Sequence, residues 1–199
     1  MNRKFVLTLV ASLVLGATAF SQSTKWISEE NGSHSSIGFA VDHLVISETT
    51  GEFEDYTITV LADKEDFTDA QFEFVAQVES INTKDAKRDE HLRSGDFFEA
   101  SKYQTITFKG KKFKKVKDNR YKVTGDLTIK GITKTVTLDA KFGGIIKDPW
   151  GNTRAGLKVF GAIDRNDFGL KYNATLEAGG LLIGEEVRIT CNVELIKQS

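Results

Sequence analysis

The 199-residue sequence predicts an all-β protein, an eight-stranded antiparallel barrel with one short helical lid segment between strands. Three observations lead there. Apolar and polar residues alternate with period two in run after run, so each strand has one buried and one wet face. Parallel strands are usually apolar on both faces, so this alternation means antiparallel pairing. The single cysteine, Cys191, allows no intrachain disulfide and no central tryptophan is in view, which disfavours an immunoglobulin-type sandwich. Closing the sheet removes its edges and turns the apolar face inward.

The elements follow in chain order. Arg3 and Lys4 precede the apolar run Phe5 to Leu15, and small residues follow at Ala17, Ala19 and Ser21. This is the pattern of a secretory signal over residues 1–21, too short to span a bilayer. No cysteine follows that could carry a lipid anchor. The expectation is an exported protein, periplasmic or secreted, with no stable membrane anchor and one folded domain over residues 22–199. Ile37, Phe39 and Val41 then share a face, and His43 has the same parity, so it points inward at a barrel end. Phe72, Phe74, Ala76 and Val78 make the next set.

Residues 83–100 break the alternation. Thr83 or Asp85 caps a short helix running to His91 or Leu92. Ser94-Gly95-Asp96 restarts a turn that presents Phe97 and Phe98, a lid laid over the end of the sheet. Alternation resumes with Tyr121, Val123, Gly125, Leu127 and Ile129, then Val136, Leu138, Ala140 and Phe142. It ends with Leu157, Val159, Gly161 and Ile163, then Val187, Ile189, Cys191, Val193 and Leu195. Asp118-Asn119 suits a hairpin, Gly131 turns the chain between two strands, and residues 148–152 form a loop. Gly143-Gly144 and Gly179-Gly180 match no phosphate loop and are expected as turns or strand bends.

Composition excludes several classes. Charged residues are 28% and hydrophobic ones 40%, with a formal net charge of −1, so neither a disordered chain nor an electrostatic nucleic-acid binder is expected. Removing Arg3 and Lys4 with the signal makes the charge more negative. His34, His43 and His91 are the only histidines, and no HxH or HExxH spacing occurs, so no metal or cofactor is expected. Arg88, Asp89 and His91 are the one compact group that resembles catalytic machinery, which would make a hydrolase or isomerase acting on an apolar substrate. Residues two apart on a helix do not face each other, and no serine or cysteine nucleophile stands in an elbow motif. The other role for Arg88 and Asp89 is to tie the helix to the barrel. A third reading is a filled barrel that works through its surface as a stress-related interaction protein.

The residues then resemble a known family. Trp26, His34-Ser35, Ile37, Phe39, His43-Leu44 and Gly51-Glu52-Phe53 are similar to the opening of the YceI-like polyisoprenoid-binding family. Ser80-Ile81-Asn82-Thr83, Arg88-Asp89-Glu90-His91-Leu92, Asp96-Phe97-Phe98 and Ile106-Thr107-Phe108 continue the likeness. Residues 125–131, reading Gly-Asp-Leu-Thr-Ile-Lys-Gly, and 165–169, reading Arg-Asn-Asp-Phe-Gly, complete it. Gln104 and Thr135 depart from it at positions where the family commonly has proline. The resemblance implies a lipocalin-like barrel whose elongated interior holds a polyisoprenoid, such as the tail of an isoprenoid quinone, without catalysis. The expected lining is Phe39, Val41, Phe72, Phe74, Phe97, Phe98 and Phe108, with Leu127, Ile129, Val136, Leu138 and Ile189. His43 is the candidate contact for a polar headgroup. A homodimer is left open.

Overall fold

Eleven strands of the computed structural model, which describes residues 23–29, 34–175 and 181–198, make one closed antiparallel sheet. The first six are short: β1 (Lys25–Ser28), β2 (Ser36–His43), β3 (Ser47–Phe53), β4 (Tyr56–Leu61), β5 (Gln71–Gln77) and β6 (Ile81–Asn82). Helix α1 (Ala86–Arg93) follows. The last five strands are long: β7 (Thr105–Lys117), β8 (Arg120–Ile129), β9 (Ile132–Lys147), β10 (Thr153–Asp164) and β11 (Ile183–Lys197). The signal reading of residues 1–21 and the Gly179-Gly180 bend lie outside the described residues.

The short strands pair end to end as three broken staves. β1 and β2 both lie along β11, at Trp26↔Lys197 and Ile37↔Cys191. β4 and β3 pair with β1 and β2 in turn, and β5 and β6 with β4 and β3. With β7 to β11 these give eight staves, and the contact of β1 with β11 closes the ring. Closure removes the edge along β1 and β11; at the opposite end β6 pairs with β3 alone, at Glu52↔Asn82 and Phe53↔Ile81.

Parity runs as alternation requires. On β8, Tyr121, Val123, Gly125, Leu127 and Ile129 are buried, while Lys122 is exposed and Thr124, Asp126 and Thr128 are only partly covered. β8 pairs with β9 from Arg120↔Lys141 to Ile129↔Ile132 without a register shift. Gly143-Gly144 is not a turn. β9 runs through it, and the register shift where Gly156 meets Gly144 and Leu157 meets Phe142 marks a bulge. A bulge re-aims a long strand without ending it.

The interior differs along the barrel axis. At the end formed by the β7–β8 and β9–β10 hairpins it is solid with rings. Trp26 packs on Phe67 at 5.2 Å, Phe67 on Phe142 at 5.1 Å, and Phe113 stacks on Tyr121 at 4.4 Å. Phe67, Val60 and Leu195 have no exposed surface. Toward the other end, inward-facing Phe39, Val41, Phe72, Phe74, Phe108, Val159, Ile163 and Ile189 are only half-buried. Their accessible surface faces an internal space.

The loop at the solid end is locked by one carboxylate. Asp148 accepts hydrogen bonds from the Trp150 and Asn152 amides at 3.0 and 2.8 Å and from Arg154 Nε at 2.6 Å. Burial pushes its carboxyl up, but the bonds from Arg154, Asn152 and Trp150 outweigh this and leave it at about 2. A carboxyl lowered on folding stabilises the protein above its unfolded pKa and loses that stabilisation as pH falls through the folded value. Thermal melting followed from roughly pH 4 down to about 2 should therefore fall, and Asp148→Asn should flatten that limb while lowering stability at neutral pH. Unchanged acid sensitivity in Asp148→Asn would show that the loop does not depend on this charge.

Candidate functional site

The half-buried faces enclose a cavity of about 400 Å³ with an almost wholly apolar wall. Sequence patterning explains its shape. Each stave contributes alternate side chains, so Phe39 and Val41 from β2, Phe72 and Phe74 from β5, Phe108 from β7, and Leu127 and Ile129 from β8 all reach it. Leu138 and Ile189 join them from β9 and β11. His43, Phe97 and Phe98 complete the set of expected lining residues that the fold brings together.

Val136 is the exception. It has inward parity and packs against the core, but it does not line the cavity. The 3₁₀ turn Arg165–Phe168 packs on this end of β9, where Lys134 reaches Asp167 at 3.7 Å. Alternation reports the face a residue takes, not whether that face meets the core or the cavity.

Two glycines keep the lumen open. Phe39 is paired across the ladder with Gly51, and a Cβ on Gly51 would stand 2.4 Å from Phe39 Cζ. A Cβ on Gly125 would stand 2.5 Å from Phe108 Cζ. Only a bare glycine lets each phenyl ring lie flat on the wall instead of projecting into the space.

The lid forms where residues 83–100 interrupt the alternation. Asp85 caps α1 by accepting from the Lys87 and Arg88 amides at 3.0 and 3.2 Å. Buried Asp89 accepts from the Thr83 amide at 2.8 Å, and Arg88 donates to Thr83 Oγ1 and to its carbonyl, each at 2.8 Å. These bonds tie the helix to the strand before it. His91 instead meets Asp96 at 2.9 Å and packs edge-on against Phe97 and Tyr172 at 5.0 and 4.8 Å. The carboxylate partner of His91 is thus Asp96, not Asp89, because the helix sends residues two apart in different directions. Phe97 is buried and Phe98 half-buried, with Phe98 edge-on to Phe53 at 6.1 Å.

Of the other histidines, His34 is exposed in the turn before β2, whereas His43 ends β2 opposite Ile183 and faces the cavity. Among the described residues no group of His, Cys, Asp and Glu is placed to hold a metal. Cys191 keeps some accessible surface, yet burial pushes its thiol up to about 12. The two agree once its accessible face is seen to front the cavity rather than bulk water.

The expected lining list lacked Leu157, Val159, Ile163 and Arg165, which also reach the cavity. Parity carried the signal for all four. Ile163 follows Leu157 and Val159 on the inward face, and Arg165 stands two residues further on. A charged residue continuing an apolar register is the mark that sequence reading passed over.

With this geometry in hand, similarity to known proteins is informative. The family model described as YceI-like domain matches residues 29–195. The chain is 40% identical over 165 residues to a UPF0312 protein of Staphylococcus aureus (strain N315), spanning 82% of this chain and 94% of that protein. It is similar to the crystal structure of a Campylobacter jejuni YCEI protein, with 32% identity, a TM-score of 0.68, and 79% and 90% of the two chains covered. A polyisoprenoid binding domain from Saccharophagus degradans shares the fold at 15% identity and a TM-score of 0.64, covering 87% of this chain and 98% of that one.

Proposed function

We propose that this chain, which belongs to the YceI-like domain family, is an exported, non-catalytic carrier that holds an isoprenoid lipid tail inside its barrel. One observation carries the reading: an apolar cavity of about 400 Å³ inside a closed sheet, solid at one end and lidded at the other. A filled barrel would bury its inward phenylalanines fully, and Phe39, Phe72, Phe74 and Phe108 are only half-buried. The polyisoprenoid binding domain with the same fold supports a branched, unsaturated chain as cargo. An isoprenoid quinone fits the same description.

The driving force is burial of the lipid's hydrocarbon, about 0.8 kcal/mol for each CH₂ removed from water before ordering costs. Arg88, Asp89 and His91 act in this reading as the lid's fastening. Two are committed to the hydrogen bonds around Thr83 and the third to Asp96, so no proton-transfer role is assigned to them.

Native mass spectrometry of the protein expressed from its full gene tests the proposal, followed by solvent extraction of whatever is released. The expected spectrum shows a chain shortened to the residues after Ala19 or Ser21, carrying an extra mass that extraction identifies as an isoprenoid lipid. Protein that stays empty after incubation with polyprenols and with menaquinone-4 would overturn the carrier reading in favour of a barrel acting through its surface. Full-length chain in the membrane fraction would overturn export.

A further inference from the structure

The most unusual charge in the molecule is Arg165. It is 4% exposed and lines a cavity whose wall is almost wholly apolar. Every hydrogen bond it makes goes to a neutral backbone carbonyl. Nε donates to Gly184 at 2.8 Å, Nη1 to Leu170 and to Tyr172 at 3.0 Å, and Nη2 to Ile183 at 3.4 Å. Asp164 and Glu185 act on it through space, but among the described residues neither forms an ion pair with it. Asp164 is already held by the Asn166 amide at 2.8 Å.

Carrying a guanidinium out of water without a counter-charge is costly, and neutral acceptors repay only part of that cost. The carbonyls also fix the group rigidly, which sets the direction of its remaining donor. A guanidinium has five N–H groups. The bonds above use one on Nε, two on Nη1 and one on Nη2, so one Nη2 proton is unspent. Other polar groups also border the cavity. Arg88, His91 and His43 line it too, while the Asp42 carboxylate there is occupied by Arg188 at 2.8 Å.

We infer that the cargo's head is an oxygen acceptor, a quinone carbonyl or a phosphate oxygen, seated on the unspent Nη2 donor of Arg165 at the lidded end of the cavity. The inference rests on the carrier reading and adds the chemistry of the head to it. The lipid tail then runs from Arg165 toward the ring cluster of Trp26, Phe67 and Tyr121. The head sits beneath Phe97, Tyr172 and His91, whose rings pack on one another at 4.8 to 5.0 Å.

Four probes with the same C20 isoprenoid skeleton test it: menaquinone-4, geranylgeranyl phosphate, geranylgeraniol and phytane, which has no head. The wild-type protein is expected to bind at least one of the two oxygen-acceptor heads about tenfold or more tighter than phytane, the effect of one charged hydrogen bond. Preference for the phosphate identifies an anionic head, and preference for menaquinone-4 a carbonyl. Arg165→Met is expected to erase that preference while phytane still binds. Equal affinity of the wild type for all four probes would overturn the inference and leave the carrier reading standing. Failure to bind any of them, phytane included, would overturn both. Should Arg165→Met not fold, the wild type decides the matter by nitrogen-15 NMR of the arginine side chains. A shift of the Arg165 guanidinium on loading the preferred headed probe, absent with phytane, supports the inference; identical spectra with both refute it.

Discussion

Ile129→Trp is expected to empty the barrel of lipid while changing the melting temperature of the ligand-free protein little. Ile129 faces the cavity from β8, and its strand pairs with β9 without a bulge, so its inward direction is secure. In a hollow interior the added indole occupies space that the lipid tail used. In a filled core the same substitution would force neighbours off their rotamers at about 1–3 kcal/mol or more. Leu138→Trp on β9 faces the same space and is the control, since both substitutions should act alike. Thermal melting and lipid extraction read the two quantities separately. A large loss of ligand-free stability with unaltered lipid content, in both variants, would mean that the half-buried phenylalanines border packing defects and not a binding space.

Phe67→Ala is expected to do the reverse. Phe67 has no exposed surface and sits between Trp26 and Phe142 at the solid end, away from the lid. Truncating a buried phenylalanine costs about 3–5 kcal/mol, because contacts are lost and a void remains. For a domain of this size that lowers the midpoint by roughly 10 °C. Phe67 also has φ of 56°, a left-handed conformation that side chains rarely adopt. The ring is held there by its packing against the backbone's preference, so Phe67→Gly should be no worse than Phe67→Ala despite the greater chain entropy of glycine. Urea unfolding of the two variants checks both statements. A cost under about 1 kcal/mol for Phe67→Ala would show that the end is loosely closed and that the barrel is open at both ends.

The opposed behaviour of the two sites follows from how unevenly one register is filled. Val123, Leu127 and Ile129 obey the same alternation as Tyr121 on the same strand. Period-two patterning therefore marks all of them as inward and cannot say which meet another side chain and which meet a space. That difference depends on the residues opposite. Tyr121 meets Phe113 and Phe142, brought from strands on either side, whereas Phe39 and Phe108 fold back over Gly51 and Gly125. Ring against glycine across a ladder is a pairing that becomes visible only when register is known.

The sequence by itself determined the fold class, the helical interruption and the inward face of nearly every strand. Those depend on local terms: alternation, capping by Asp85, and the turn chemistry of Asp118-Asn119 and Lys130-Gly131, which adopts positive φ as a hairpin turn requires. The family resemblance added the expectation that the interior holds an isoprenoid lipid. Tertiary structure alone decided that short strands β1 to β6 join end to end into three staves, because pairing partners far apart in sequence set that register. It alone turned His91 toward Asp96, packed Val136 against the core away from the cavity, and buried Arg165 among four carbonyls. Each of these depends on what a side chain meets across space, and a residue's own neighbours in the chain carry no record of that.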